Sequence, residues 1–338
     1  MKFGSPRYAR DLHEFREWSV LAESLGLDVI GYGDSSTLWI DPFVALTTVA
    51  EHTNRIRLVT TVANPVTRHP AVMASAFSGL QQVSRGRAVM GIGAGDSALL
   101  NLGLDPPNAR SLELYVSCFK ALTSGEDASY QGKPVRLEWQ VERTPVWIAA
   151  NGPRTLRLAG RLADGVITHL GTDEASVREA IRHVHDGARD AGRDPASIEI
   201  WWMVQPLISA AEETGWKELR FALAGIANHV FRSTFTGKAV PPEFHERLLA
   251  LQREYRPDQH ADPAFAEGHN AQLVDRYGLL EFLGKRFTVC GPPDHIAATF
   301  NAMAGWGADK LLLIQVVDDR ISALRQFAEQ VFPLVAGW

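Results

Sequence analysis

The sequence predicts an α/β fold, a (β/α)₈ barrel with a helical insertion after strand seven, and two observations lead to it. Short apolar runs rich in β-branched residues alternate along the whole chain with longer segments of helical periodicity, the pattern of a parallel sheet with crossover helices. Eight apolar runs favour a closed barrel, because open doubly wound sheets usually have about five to seven strands. The predicted strands are residues 2–4, 28–33, 56–62, 88–91, 145–149, 165–168, 198–204 and 310–316.

The helical segments between these strands have recognisable ends. The segment 11–25 begins at Asp11 and stops at Gly26, a residue type that commonly terminates helices. Asp41 and Pro42 start the next helix, with the aspartate as N-cap and the proline in the first turn. These boundaries fit helices that connect successive parallel strands.

A long helical insertion interrupts the pattern after the seventh strand. Residues 205–286 include two helical segments, 216–231 and 243–255, before the strand pattern resumes at Lys310. An insertion at this point lies on the C-terminal face, where barrel enzymes bind substrate, and is therefore a candidate lid. A packing or dimerisation element without substrate contact remains the alternative. We treat residues 1–338 as one domain that contains this insertion.

The composition excludes several classes of function. The net charge is −5 and the pI is near 6.1, so the chain lacks the basic surface that binds a nucleic-acid backbone. Cys118 and Cys290 belong to no C-x-x-C motif, which argues against a disulfide framework and a metal site. No signal-type region and no apolar stretch of about 18 residues occurs. We therefore expect a cytoplasmic protein that acts on a small molecule, with no nucleic-acid, membrane or metal partner.

Residues just beyond the C-terminal ends of the strands are free to do chemistry, because packed side chains fill the barrel interior. In this chain, strands two to five supply the candidate site residues. They are Asp34 and Trp39 after strand two, Thr61, Val62 and Asn64 at the end of strand three, Gly93, Ala94, Gly95 and Asp96 after strand four, and Ala149, Ala150, Asn151 and Gly152 at the end of strand five.

The loop after strand four combines glycines with a carboxylate. Gly91, Gly93 and Gly95 stand at every second position and Asp96 follows them. This spacing allows the backbone to approach a flat ligand closely, with an exposed carboxylate at its end. It is not the dinucleotide fingerprint, which needs its third glycine later and inside a helix. An ordinary strand-to-loop exit is the alternative interpretation.

The end of strand five is a candidate phosphate site. Ala149 and Ala150 end the strand, and Asn151 and Gly152 lead to Pro153, which suits the first position of a helix. Backbone N–H groups at a helix start can hold a phosphate without any lysine. An ordinary βα turn capped by Asn151 is the alternative.

Three histidines are interpreted as having no catalytic role. Arg68-His69-Pro70 has residues that could bind a metal or act as a base, but Pro70 suits the first turn of a helix. His69 is therefore expected to cap or pack rather than to catalyse. His183 and His185 cannot share one helix face at their spacing, and we expect both to be solvated.

Several stretches carry a family resemblance. They are Asn64-Pro65-Val66-Thr67-Arg68-His69-Pro70-Ala71, Ser84-Arg85-Gly86-Arg87-Ala88-Val89, Gly91-Ile92-Gly93-Ala94-Gly95-Asp96, Gly152-Pro153-Arg154, Asp164-Gly165-Val166, Gly291-Pro292-Pro293-Asp294 and Gly307-Ala308-Asp309. Together they resemble the bacterial-luciferase-like superfamily, and most of all its branch of deazaflavin-dependent methylenetetrahydromethanopterin reductases. The resemblance spans nearly the whole chain except the insertion.

The resemblance implies a site for a flavin or deazaflavin ring. It implies a non-prolyl cis peptide at Thr61–Val62 whose bulge supports the back of the ring, with Asp34 near the ring's pyrimidine end. The cofactor phosphate would rest on the backbone around Asn151. Asp96 and Trp39 occupy the positions of an acidic residue and a tryptophan beside the reacting face.

One departure from related deazaflavin dehydrogenases affects the expected activity. Those enzymes have a histidine directly after the aspartate, where this chain has Ser35. The resemblance favours hydride transfer between the deazaflavin coenzyme F420 and a small organic substrate. An FMN-dependent monooxygenase using O₂, and a ligand-binding barrel without catalysis, remain open as alternatives. The resemblance also implies a homodimer, the oligomeric state that is common in this superfamily.

Overall fold

The computed structural model describes residues 1–139, 141–232, 234–256, 259 and 266–338. Its strands are β1 (Lys2–Pro6), β2 (Val29–Tyr32), β3 (Arg57–Thr60), β4 (Ala88–Ile92), β5 (Ala128–Tyr130), β6 (Lys133–Val135), β7 (Val146–Ala149), β8 (Gly165–Thr168), β9 (Glu199–Ile208), β10 (Thr288–Gly291) and β11 (Lys310–Leu313). Each of the eight predicted strands is present.

Eight of these strands form a closed parallel barrel. The order is β9-β11-β1-β2-β3-β4-β7-β8, and β8 pairs again with β9. Neighbours in sequence therefore pair in space, as βαβ connections require. The predicted TIM-barrel fold is confirmed.

The helices are α1 (Leu12–Ser24), α2 (Pro42–Ala50), α3 (Pro70–Ser84), α4 (Ser97–Leu100), α5 (Ala109–Thr123), α6 (Pro153–Leu162), α7 (Glu174–Asp190), α8 (Glu212–Phe231), α9 (His245–Glu254), α10 (His269–Arg276), α11 (Leu280–Phe287), α12 (Pro293–Gly305) and α13 (Arg320–Gln330). The predicted caps are observed. Asp11 accepts a hydrogen bond from the Glu14 backbone, and Asp41 accepts one from the Phe43 backbone at 2.8 Å. None of the helices in the described residues has the length and apolar character needed to cross a membrane.

The chain divides into two compact units. The first unit comprises 3–167 and 183–201, and the second comprises 1–2, 168–182 and 202–338. In the first unit, the rings of Trp147 and Trp201 stack at 5.4 Å and the guanidinium of Arg57 lies over both. This aromatic stack is part of a core in which both tryptophans are fully buried.

The second unit contains the insertion, and α8 is its central helix. Trp216 of α8 lies so close to Gly284 of α11 that a β carbon on this glycine would be 2.4 Å from the ring. Arg286 donates hydrogen bonds to backbone carbonyls of Leu170, Lys238 and Ala239. Close helix packing and a buried cation bound by carbonyls therefore hold this part of the chain.

The boundary of strand seven differs from the prediction. β9 continues past the predicted end at residue 204 as far as Ile208, so the region 205–286 begins within a strand. The reason is the additional strand β10, which pairs in parallel with residues 205–208 and supplies partners for their backbone. The sequence pattern did not predict β10, nor the β5–β6 hairpin.

Candidate active site

A buried carboxylate follows β2 and is held by an arginine. Asp34 is 4 % exposed, and its Oδ2 accepts a hydrogen bond from Arg68 Nη1 at 2.5 Å. Nη2 of the same guanidinium donates to Asp41 Oδ2 at 2.6 Å. Asp34 Oδ1 accepts no hydrogen bond from any residue that the structure describes. One oxygen of Asp34 is thus fixed, and the other can bind a donor on a ligand.

Burial and the ion pair with Arg68 shift the pKa of Asp34 in opposite directions. Burial raises the pKa of Asp34 above its usual value, while the hydrogen bond and the charge of Arg68 limit the rise. The guanidinium lies over the ring of Phe43, and Tyr115 Oη donates to the backbone carbonyl of Arg68 at 3.0 Å. Arg68 is therefore a fixed, permanently charged partner of Asp34.

The end of β3 has the backbone that the resemblance implied. The Thr61–Val62 peptide is cis, which confirms this expectation. The Tyr8 hydroxyl donates to the Thr61 carbonyl at 3.2 Å, and the Tyr8 ring stacks on Trp39 at 5.4 Å. The guanidinium of Arg10 lies 5.5 Å from the centre of the Trp39 ring. Residues after β1 and β2 thus hold Trp39 beside the end of β3.

The ends of β3, β4 and β7 approach one another closely at Gly93. A β carbon on Gly93 would lie 3.1 Å from Val62 Cγ2 and 3.2 Å from the β carbon of Ala149. Gly93 N donates to the carbonyl of Ala63 at 3.0 Å, so the β3 and β4 loops are joined by their backbones. Because Gly93 is buried and has no side chain, these strand ends pack closely, and we call the Gly93 backbone between Val62 and Ala149 the ledge.

The β4 loop carries Asp96 at the start of the short helix α4. Asp96 occupies the N-cap position, but its side chain makes no capping hydrogen bond. The Asp96 side chain therefore does not cap α4. Ser97 Oγ lies 2.8 Å from Ser35 Oγ, which joins the β4 loop to the residue after Asp34. Gly95 has φ +84°, a conformation that favours glycine.

The start of α6 fits an anion without the aid of side chains. The N-cap residue is Gly152 rather than Asn151, and no side chain caps the helix. A β carbon on Gly152 would meet only Thr155 Oγ1, at 3.7 Å, so the space beside this backbone is open. The predicted N-cap role of Asn151 is wrong, because helix α6 begins one residue later and Gly152 is its N-cap.

The contacts bring most of the predicted residues together. Asp34, Trp39, Thr61, Val62, Asn64, Gly93, Gly95 and Ala149 are joined directly or through one neighbour, and Asp96 is the neighbour of Ser97. Ala94 is exposed, and Ala150 to Gly152 follow Ala149 along the chain. His69 caps α3 by accepting from the Ala71 backbone at 3.2 Å, as predicted.

Two residues of this site were missed by the sequence reasoning. Arg68 was interpreted only as part of a motif, although it binds Asp34. Tyr8 lies just beyond the C-terminal end of β1, and this position after a strand is the signal in the sequence that indicates it.

Comparison with known proteins identifies the family. The model of the luciferase-like monooxygenase family matches residues 2–310. The chain belongs to this family. The predicted superfamily is thereby confirmed, and the chain is an oxidoreductase enzyme.

Relatives of the luciferase-like chain match it from end to end. A 5,10-methylenetetrahydromethanopterin reductase of Archaeoglobus fulgidus is 33% identical, covering 98% of this chain and 99% of the relative. An F420-dependent glucose-6-phosphate dehydrogenase of Microbacterium testaceum is 28% identical, covering 95% and 93%. The structure is similar to that of the coenzyme F420-dependent tetrahydromethanopterin reductase of Methanopyrus kandleri, with a TM-score of 0.75, 21% identity and 98% of each chain covered.

Proposed function

We propose that this enzyme transfers a hydride between coenzyme F420 and a small organic substrate. The observation that carries the proposal is the ledge at Gly93, between Val62 and Ala149, together with the buried carboxylate of Asp34 after β2. A planar tricyclic ring needs backbone support without a side chain and a polar partner at one edge. The end-to-end similarity to relatives named as F420-dependent favours a deazaflavin as that ring.

The residues present fit this cofactor at both of its ends. Gly93 has no side chain, and a β carbon there would lie 3.1 Å from Val62 and 3.2 Å from Ala149. The uncapped start of α6 offers backbone N–H groups for a phosphate. Asp34 Oδ1 would accept the imide N–H of the pyrimidine ring, because Arg68 already occupies Oδ2. When bound, the deazaflavin supplies two-electron hydride chemistry at its carbon 5.

The protein's own groups would position the reactants and handle protons. Arg68 keeps the Asp34 carboxylate oriented, and the stack of Tyr8 and Trp39 provides an apolar wall. We assign Asp96 the task of holding or moving a proton at the substrate, because its carboxylate follows the glycines at the end of β4. Ser35 lies where a catalytic histidine would be needed for a sugar-phosphate dehydrogenase mechanism, so we propose a different substrate class.

A monooxygenase that uses reduced FMN is the second candidate, because the family description names monooxygenases. The ring site alone does not separate the two cofactors, since both have the same tricyclic shape. Titrating the purified protein with F420 and with FMN, followed by fluorescence, tests the proposal. We expect binding of F420 that is tighter than binding of FMN. Tight FMN binding without F420 binding would contradict the proposal.

A cytoplasmic homodimer is part of the same proposal. Val44 on α2, Val72 and Val83 on α3, and Leu114 on α5 are each at least 40% exposed. These apolar side chains on neighbouring helices support association with a second copy. The mass in solution tests this point, and a monomer at working concentration would contradict it. The lid role of residues 205–286 stays a prediction.

A further inference from the structure

A cavity lined mainly by arginines lies on helices α5 and α6, outside the candidate active site. Its volume is about 260 Å³, and its lining includes Arg110, Arg154, Arg157 and Arg161 together with Glu113 and Leu158. We call this cavity the arginine groove. Four guanidinium groups around one carboxylate form an unusual lining in a protein of net charge −5. Such a lining selects for an anionic ligand.

The carboxylate inside the groove binds its arginines loosely. Glu113 lies 3.2 Å from Arg110 and 3.7 Å from Arg161. Strong charge-assisted hydrogen bonds are shorter, at about 2.7–2.9 Å. Exposed pairs of this kind contribute little free energy. An incoming carboxylate or phosphate can therefore compete with Glu113 for both guanidinium groups.

The other two arginines differ in their partners. Arg157 is bound to Asp186 at 2.9 Å and to Asp190 at 3.1 Å. Arg154 is exposed and forms no hydrogen bond or ion pair with any residue that the structure describes. Arg154 is therefore the positive charge in the arginine groove that is left without a carboxylate.

The arginine groove begins where the cofactor phosphate is proposed to lie. Gly152 is the N-cap of α6, and Arg154 is the second residue of that helix. Arg157 and Arg161 follow on the same face of α6, because residues three or four positions apart are neighbours on a helix surface. At a rise of about 1.5 Å per residue, the row from Arg154 to Arg161 extends roughly 10 Å along α6.

We propose that the arginine groove binds the acidic tail of the deazaflavin coenzyme, an inference that rests on the proposed function. The tail of coenzyme F420 continues beyond its phosphate as a chain of glutamates, whereas FMN ends at the phosphate. Guanidinium groups bind carboxylates through paired hydrogen bonds. A tail leaving the phosphate position at Gly152 would meet Arg154 first and Arg161 further along. The groove thus distinguishes the two cofactors that the ring site does not.

Binding measurements with two probes test this inference. The first probe is F420 with several glutamates, and the second, tailless probe is the same deazaflavin coenzyme with its phosphate but without glutamates. The variant is Arg154→Gln combined with Arg161→Gln, and Arg154→Gln alone serves if the double variant does not fold. The control is Arg178→Gln with Arg182→Gln, which removes two exposed arginines from α7. Fluorescence anisotropy gives each dissociation constant at low and at high salt.

We expect the double variant to bind the tailed coenzyme about 10-fold more weakly at low salt, with a smaller difference at high salt. Its affinity for the tailless deazaflavin should equal that of the wild type, and the control should behave as the wild type with both probes. Unchanged affinity of the double variant for the tailed coenzyme would overturn the inference. Equal affinity of the wild-type protein for the tailed and the tailless forms would also overturn the inference, but it would leave the proposed function intact. Wild-type protein that binds neither form would overturn both.

Discussion

Arg68 joins two carboxylates that belong to different elements, with Asp34 Oδ2 at 2.5 Å and Asp41 Oδ2 at 2.6 Å. Asp41 also caps α2 through its Oδ1, which accepts from the Phe43 backbone. The orientation of the buried Asp34 carboxylate is therefore linked to the start of α2. In the proposed site, Asp34 binds the cofactor ring. Arg68 therefore determines the orientation of the Asp34 carboxylate toward that ring.

Replacing Arg68 by methionine should change the pH dependence of the enzyme. Burial raises the pKa of Asp34, and Arg68 opposes this effect, so its removal lets the pKa rise further. Because the proposed site uses the ionised carboxylate, the acidic limb of the kcat/KM profile should move to higher pH. Arg68→Lys keeps the charge and should shift the limb less. Arg178→Met on the exposed face of α7 is the control. Coincident acidic limbs for wild type and Arg68→Met would show that Arg68 does not influence Asp34.

Asp96→Asn should lower turnover more than cofactor affinity. The carboxylate of Asp96 does not cap α4, and we assign it to proton handling, which typically contributes about 10²-fold or more in rate. Steady-state kinetics gives kcat, and cofactor fluorescence gives the dissociation constant. The exposed Asp105→Asn is the matched control. Full activity of Asp96→Asn would remove the acid/base assignment.

Gly93→Ala should weaken cofactor binding while the fold is retained. The added β carbon lies 3.1 Å from Val62 and 3.2 Å from Ala149, on the ledge where the ring is proposed to lie. We expect a loss of affinity of about 10-fold or more. Gly79→Ala in α3 is the control, because a β carbon there meets nothing within 4 Å and should slightly stabilise the helix. Equal cofactor affinities for the two variants would show that the ring does not lie on Gly93.

The buried Lys238 should make the folding stability of the protein depend on pH. Burial, aided by the charge of Arg286, lowers the pKa of Lys238 to about 8 from its usual 10.5. In the unfolded chain this lysine takes up a proton as pH falls below its ordinary pKa, whereas in the folded protein it does so only near pH 8. Its contribution is therefore most favourable at high pH, declines as pH falls from about 10.5 to 8, and is constant below that.

Thermal unfolding of the wild type and of Lys238→Met at pH 7, 9 and 10 tests the predicted direction of this change in stability. The wild type should gain stability relative to the variant between pH 8 and 10. Arg178→Met, which alters an exposed cation, should show no such gain. If the thermal stability of the wild type and of Lys238→Met changed equally with pH, the pKa of Lys238 would be the same in the folded and the unfolded chain.

The barrel was predictable because its strands and helices each leave a periodic signal in the sequence. The strand ends then placed Asp34, Asp96 and Gly93 near one another, since parallel strands of a barrel end at one face. The contact of Arg68 with Asp34 was not predictable, because nothing in the sequence shows which way a guanidinium points. β10 was missed because its short apolar run follows helical residues and pairs with the end of β9.

His183 shows a different failure of the sequence reasoning. It was expected to be solvated together with His185, but it is only 7% exposed. The reason is close contact between α6 and α7, where a β carbon on Gly160 would lie 2.0 Å from the carbonyl of Val184. The absence of a side chain on Gly160 lets α7 approach so closely that a polar residue next to the contact is buried. The helical periodicity of the sequence does not predict how closely α6 and α7 pack.

A crystal structure of the protein soaked with F420 tests the central claim most directly. Our account predicts the ring against Gly93 and Val62, with Asp34 at its pyrimidine edge and the phosphate on the backbone at Gly152. Density for the deazaflavin at any other place, or crystals that take up FMN and exclude F420, would contradict it.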